Sequence, residues 1–346
     1  VLSRLELPIV QAPMGGGPST PALAAAVSEA GGLGFLAAGY LAPDAVRGQI
    51  AELRRLTGRD FGVNLFAPPG PAGEPAAVER YAEALRPLAA RYGVEVGEPR
   101  HHDDHFAAKL DLVVEERVPV VLFTFGCPSR EEIERLRDAG ADVWVTVTTP
   151  AEARLAAEAS ADALVVQGVE AGGHRGSFDD RSPGDLGLLA LLQLVAAEAD
   201  LPLVATGGIM TGRGVAAVLA AGAHAAQLGT AFMLTPEAAT SAPHRQALAG
   251  EAPTGLTRAF TGRTARGIVN DFMRAHGDSA PTAYPELHHL AAPIRAAARE
   301  AGDPEAVNLW AGQAHGLARD IPAADLVREL TEEARQALAG AARSLG

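Results

Sequence analysis

Cysteine is almost absent: Cys127 is the single one in 346 residues. That excludes a disulfide framework within the chain and disfavours a thiolate metal site. It fits a reducing compartment, and no charged-then-apolar leader precedes Pro8, so the expected location is the cytoplasm. No apolar run is long enough to span a bilayer. Positive charge is in deficit, with 29 Lys and Arg against 42 Asp and Glu and a net charge of -13. That balance argues against general binding to nucleic acid or to anionic lipid. It leaves room for one local anion site built from backbone N–H groups. Aromatics make up only 5% of the chain, so Ala, Leu and Gly must carry the packing, as in Ala-rich helices laid closely on a parallel sheet. A dinucleotide fingerprint is also missing. Pro13-Met14-Gly15-Gly16-Gly17-Pro18 is a poor G-x-G-x-x-G, which ranks a doubly wound fold well below a barrel.

What is present is alternation. Eight short apolar runs read as strands: Pro8 to Ala12, Leu33 to Ala37, Phe61 to Phe66, Pro119 to Phe125, Asp142 to Val147, Ala163 to Gln167, Leu201 to Thr206, and His224 to Leu228. Nearly every gap between them reads as helix. Ser19 or Thr20 caps the first, with Pro21 at its opening position. Ser129 with Glu132 forms a capping box. Eight βα units with right-handed crossovers predict an α/β fold, a (β/α)8 TIM barrel over residues 1–235. From Pro236 to Gly316 the pattern turns irregular and helical, without clear strands. This part is expected to form a smaller, mostly helical cap over the carboxyl end of the barrel, with the segment 69–105 a candidate to join it. Residues 317–346 read as a C-terminal helix packing back on the barrel.

Chemistry concentrates at strand ends. The run Val165-Val166-Gln167-Gly168-Val169-Glu170-Ala171-Gly172-Gly173-His174 takes a buried strand into a glycine-rich loop ending in an imidazole. In parallel α/β folds that end carries the site. Gly207-Gly208 follows the seventh strand, and Gln227-Leu228-Gly229-Thr230 ends the eighth. Barrels hold phosphate between these two loops. Asn64 within an apolar strand, and Gln167 at the end of another, place amides where partners must be found. A flavin edge is one such partner and backbone is the other. His101-His102-Asp103-Asp104-His105 has metal-like spacing, but a solvated, capped helix start explains it better. Cys127 reads as a small buried residue. Tyr40, Tyr284 and Trp310 are candidates for lining the pocket, with ordinary packing an equal explanation. Glu170 either orients His174 or faces solvent.

These stretches, taken with Pro8 to Gly16, Phe61 to Phe66, Phe123-Thr124-Phe125-Gly126, Ala205 to Ile209 and Asn308 to Gln313, resemble the nitronate monooxygenases (older name 2-nitropropane dioxygenases) of class I over nearly the whole chain. The resemblance implies an FMN-bearing barrel that oxidises alkyl nitronates, such as propionate-3-nitronate, with O2 to a carbonyl compound and nitrite through a flavin semiquinone. It implies His174 as catalytic base. FMN contacts fall at Ala12, Pro13, Met14, Asn64, Gln167, Gly172, Gly173, Gly207, Gly208, Gln227, Leu228, Gly229 and Thr230. It implies no metal and no need for a nicotinamide. The expected partners are a small nitronate and O2, with the chain a monomer or homodimer. Gly262 to Gly267, with Arg263 and Arg266, also looks familiar but stays outside the expected core site. An FMN-dependent enoyl-acyl-carrier-protein reductase or NAD(P)H:quinone reductase is the alternative, and a non-catalytic FMN carrier is a third reading.

Overall fold

Eight parallel strands close around one axis in the computed structural model, which describes residues 1–344. In chain order the strands are β1 (Ile9–Gln11), β2 (Gly34–Ala37), β3 (Phe61–Phe66), β4 (Val120–Thr124), β5 (Asp142–Val147), β6 (Ala163–Gln167), the two-residue β7 (Gly173–His174) outside the barrel, β8 (Leu203–Thr206) and β9 (Ala225–Leu228). The barrel order is β1-β9-β8-β6-β5-β4-β3-β2. The ring closes where Val10 bridges Leu33, with Gln11 N donating to Leu33 O at 2.9 Å. The structure is therefore the (β/α)8 barrel that the alternation predicts.

Eight helices occupy the crossovers: α1 (Pro21–Glu29), α2 (Pro43–Leu56), α3 (Pro75–Arg91), α4 (Phe106–Glu115), α5 (Arg130–Asp138), α6 (Pro150–Glu158), α7 (Leu188–Glu198) and α8 (Gly212–Ala220). Their starts obey local chemistry. Thr20 accepts from Leu23 N, with Pro21 opening α1, and Ser129 and Glu132 make a reciprocal capping box on α5. Inside the barrel, Val10, Leu33, Phe35, Val120, Leu122, Trp144, Val165 and Val204 form a dry plug. Valines and leucines on the outer faces of the strands pack against the helices in two larger clusters.

Beyond the barrel come α9 (Ala242–Leu248), β10 (Thr254–Thr257), β11 (Ala265–Ile268), α10 (Asp271–His276), α11 (Glu286–Glu300) and α12 (Ala323–Ser344). The two strands correct the expectation of a region without strands. β10 pairs antiparallel with β11, and β11 pairs antiparallel with β7. Thr-Gly-Leu-Thr and Ala-Arg-Gly-Ile are four residues each, show no two-residue alternation and carry an interior glycine, so neither announces a strand. Helix α3 packs Val78, Tyr81 and Leu85 into one apolar cluster with Leu287, Leu290 and Ile294 of α11. Among the described residues, no helix is long and apolar enough to cross a membrane.

Helix α12 lies across α8 and α1, burying Leu326, Val327 and Leu330. Gly212 makes that crossing possible. A Cβ there would stand 2.2 Å from Glu333 Cβ and 2.5 Å from Leu330 O. Gly212→Ala should gain about 1 kcal/mol of helix propensity and lose about 1–3 kcal/mol to overpacking. The expected result is net destabilisation, read as a lower urea midpoint at unchanged m. A raised midpoint would mean that α12 does not dock this closely.

Candidate active site

Near the carboxyl ends of the strands, the inward positions change from apolar to polar. Register sets Gln167 beside Thr206 and Thr206 beside Gln227. Thr124 Oγ1 lies 3.3 Å from Thr146 Oγ1, and Asn64 Nδ2 donates to Thr124 Oγ1 at 2.9 Å and to Leu122 O at 3.0 Å. Asn64, Thr146, Gln167, Thr206 and Gln227 are all buried. Buried polar atoms need partners, yet Gln227 Oε1 has none among the described residues. It is an acceptor waiting for a donor.

Above this layer lies a cavity of about 430 Å3, a volume suited to a bound organic molecule. Every residue singled out for FMN, from Ala12, Pro13 and Met14 to Thr230, lines it, as does His174. Gly207 and Gly208 follow β8 with φ of +123° and +68°, a conformation open to glycine and strained for other residues. Gly172 is required for a different reason: a Cβ there would meet Ala311 C at 2.4 Å. That contact belongs to the segment Trp310 to Gln313, which stitches the mouth together. Gly312 N donates to Thr230 Oγ1 at 3.0 Å, and Gln313 N to Glu170 O at 3.1 Å. Open backbone between β8 and β9, an unpaired buried acceptor and a large cavity fit a planar group carrying a phosphate.

His174 occupies the short strand β7, held by β11 on one side and by Gln167 Nε2, which donates to His174 O at 3.1 Å, on the other. Its Nε2 lies 2.9 Å from Thr261 Oγ1, and that hydroxyl donates to Arg263 O at 3.2 Å. With its proton committed, Thr261 accepts from His174 Nε2–H. The basic lone pair is thereby placed on Nδ1, which has no protein partner among the described residues. Burial lowers His174 to about 3, aided by the charges of Arg263 and Arg295. That departs from a base poised near neutrality. The ring is held neutral over the whole physiological range and binds a proton weakly.

Aromatic rings enclose the imidazole: Phe125, Tyr284 and Trp310 have centroids 5.8, 5.9 and 5.4 Å away. Two aromatic residues of the cavity wall, Tyr40 and Phe125, carry positive φ (67° and 77°). For bulky residues this costs on the order of 1–3 kcal/mol each. Tyr40 is pinned there by the acidic-histidine segment. Tyr40 N donates to Asp104 Oδ1, and the buried Lys109 reaches both Asp104 Oδ2 at 2.6 Å and Ala38 O at 2.9 Å.

Other expectations move. The His101 to His105 run is surface-lying, with His101, Asp103 and His105 exposed, but His105 caps α4 without a side-chain bond, and no group of three possible metal ligands occurs among the described residues. His102 Nε2 meets His289 Nε2 of α11 at 2.8 Å, so the run ties α4 to α11. Glu170 neither orients His174 nor points to solvent; both its oxygens accept from Leu188 N at the start of α7. Gln167 spends its side chain on the loop, accepting from Gly176 N at 2.8 Å. Cys127 is half-buried, pushed up to about 11 by burial, and off the cavity wall. Thr124, Thr146 and Thr206 line the cavity unanticipated. A question about which residue ends each strand level with Asn64 and Gln227 would have found them. Arg263, left outside the expected core site, and Arg295, which carries no such signal, both lie near His174 in space.

Comparison with known proteins agrees with this geometry. The sequence profile of the family described as "Nitronate monooxygenase" matches residues 2–333. The chain is similar to the nitronate monooxygenase of Pseudomonas aeruginosa, 44% identical over 96% of this chain and 98% of that protein. In structure it resembles the nitroalkane oxidase from Streptomyces ansochromogenes (53% identity, TM-score 0.95, 98% of each chain). It also resembles FabK from Thermotoga maritima (28% identity, TM-score 0.78, 99% of this chain and 97% of that one).

Neutral buried histidines make the fold acid-sensitive. His244, 7% exposed, is lowered to about 4 mainly by burial, and its Nε2 donates to Trp310 O at 2.9 Å. A histidine depressed on folding contributes stability that is complete above the unfolded value near 6.5 and is lost as pH falls toward the folded value. At pH 5 the loss is about 2 kcal/mol relative to pH 7. Urea unfolding of His244→Asn at pH 7 and pH 5 should show a pH dependence smaller than wild type by that amount. An identical pH dependence would mean that His244 titrates alike in the folded and unfolded protein.

Proposed function

The chain belongs to the nitronate monooxygenase family, and from that premise we propose that it is an FMN-dependent enzyme oxidising small alkyl nitronates with O2 to a carbonyl compound and nitrite. One observation carries the reading: an imidazole fixed as the Nε2–H tautomer by Thr261 lies on the wall of the glycine-rimmed cavity. In this reading residues 1–235 form the barrel that binds FMN. Residues 236–316 form the cap over its mouth, with the segment 69–105 packed against it, and residues 317–344 pack back on the barrel, the last two positions of the expected 317–346 segment lying outside the described residues.

The residues that would hold FMN are Ala12, Pro13 and Met14 at the end of β1, Asn64, Gly172 and Gly173, and the two rims Gly207-Gly208 and Gln227 to Thr230, with Gln167 on the cavity wall but its side chain committed to the His174 loop. Gln227 Oε1 and the open side of Asn64 offer acceptors, and the backbone N–H groups of the rims suit a phosphate. When bound, FMN supplies the electron transfer between substrate and O2. The protein does the rest. Trp310, Phe125, Tyr284 and Tyr40 exclude water. Tyr284 donates to Tyr40 Oη at 3.3 Å, which leaves the Tyr40 hydroxyl proton free for a substrate oxygen. His174 Nδ1 accepts a proton from the carbon of a neutral nitroalkane or stands beside a nitronate supplied as the anion. A base lowered to about 3 is poor at the first task, which favours nitronates as the working substrates.

Oxygen consumption and nitrite release with propionate-3-nitronate and short alkyl nitronates test this reading. Turnover is expected on nitronates, weaker turnover on the neutral nitroalkanes, and no bleaching of bound flavin on anaerobic mixing with NADH or NADPH. His174→Asn should lose on the order of 100-fold or more on nitroalkanes, within the range for general bases, and far less on nitronates. Fast bleaching by a nicotinamide without nitronate turnover would favour the reductase alternative. Equal losses on both substrates would make His174 a positioning residue.

A further inference from the structure

Arg263 and Arg295 are buried, at 6% and 7% exposure, and neither reaches a carboxylate among the described residues. Arg263 clamps the His174 loop. It donates to the carbonyls of Arg175 and Ser177 and lies 4.0 Å over the Phe125 ring. Arg295 has less to do. Its NH2 group donates to His288 O at 2.8 Å, its NH1 group reaches Asn308 Oδ1 at 3.5 Å, and its Nε has no partner. Leaving a guanidinium buried without a counter-charge costs several kcal/mol. Burial pulls Arg295 down to about 10, so it remains cationic at neutral pH.

Its position shows what that charge faces. Asn308 and Tyr40 line the cavity. Arg295 stands directly behind Asn308. On its other side it touches His288, whose ring stacks on Tyr40 with centroids 4.2 Å apart and planes 2° apart. Both wall residues have hydrogens to give, since the Asn308 amide N–H2 and the Tyr40 hydroxyl proton have no acceptor among the described residues. The chain as a whole carries -13 and would repel an anion, so attraction must come from local charge.

We propose that Arg295, backed by Arg263, makes this cavity selective for a small planar oxyanion, with Tyr40 and Asn308 as direct donors and Arg295 as the charge behind them. The nitronate is that oxyanion, an identification that rests on the function proposed above. Nitrite, of the same chemistry, occupies the same place as a competitive ligand.

The test compares wild-type holoenzyme with Arg295→Met and Arg295→Lys. In Arg295→Met, KM for a short alkyl nitronate and the dissociation constant of nitrite (by calorimetry) should each rise about tenfold. The inhibition constant of the neutral nitroalkane should stay within about twofold, and kcat should fall far less than kcat/KM. Arg295→Lys should restore most of the loss. NMR of ring-labelled histidine should show His174, which faces Arg263, Arg295, His288 and Tyr284, titrating nearer its ordinary range in Arg295→Met. Equal weakening of the anion and the neutral nitroalkane would make Arg295 a structural prop and overturn the proposal. No change in either, or a Lys variant as impaired as Met, would also overturn it. If the wild type turns over no nitronate, the function fails separately, and nitrite binding still decides: Arg295-dependent binding supports the anion site, and none overturns it. If Arg295→Met does not fold, the Lys variant and the wild-type nitrite titration decide alone.

Discussion

The pairing of Gly173–His174 with Ala265–Arg266 is the constraint on which the site depends. Two residues of a barrel loop hydrogen-bond to a strand some ninety positions later, and so His174 lies on a small sheet rather than on a free loop. Arg175 N extends the pairing by donating to Thr264 O at 2.8 Å. Loop closure over such a length is a modest entropic cost, growing only with the logarithm of length. The gain is a backbone held from both sides, which a βα loop alone cannot provide. Every property of His174 follows from this: its burial, its tautomer set by Thr261 from the same connection, and the proximity of Arg263.

The same coupling explains why glycine is concentrated here. Trp310 to Gln313 must pass close to the loop for Gly312 N to reach Thr230 Oγ1. At 2.4 Å from where a Cβ would stand, Ala311 leaves no room for a side chain at 172. The aromatic wall is bought in a different currency, backbone strain at Tyr40 and Phe125. That strain persists because the Lys109–Asp104 pair and the Arg263–Phe125 stack hold it. Burial opposes the ionic pair, raising Asp104 and lowering Lys109. A buried ion pair is weak evidence for stability; its use here is to fix one turn.

The barrel was legible because its signal is local and repeated. Strand-length apolar runs, Pro-led helices and caps at Thr20 and Ser129 each specify a piece, and the right-handed crossover rule joins them. The glycine-rich strand ends were legible because few residues other than glycine tolerate those backbone positions. What escaped depends on contacts distant in sequence. β10 and β11 exist as strands because β7 gives them an edge, not through their own propensity. Asp104 read as part of a solvated helix start because spacing cannot reveal that its partners are Lys109 and the Tyr40 turn. Glu170, four residues from His174 in sequence, read either as a helper of His174 or as solvent-facing, whereas its carboxylate accepts from Leu188 N. Arg295 was silent, since an arginine in an amphipathic helix reads as solvated until its burial is seen.

Two demands on the mouth of the barrel conflict, and magnitudes decide between them. Proton abstraction wants a basic imidazole; holding an anion wants positive charge nearby, which makes the imidazole less basic. A displacement from 6.5 to about 3 corresponds to roughly 5 kcal/mol. Exposed charge pairs, worth up to about 1 kcal/mol, cannot supply that much. Desolvation together with unpaired guanidinium groups can. The balance therefore lies with the anion while the cavity holds no negative charge. Once an anion sits against Tyr40 and Asn308, its charge offsets that of Arg295, and the cost of protonating His174 falls by the same interaction. Anion and proton thus bind cooperatively. Under the proposed function, a site of this design takes up nitronate readily as the anion, and His174 becomes a stronger base only with that anion beside it.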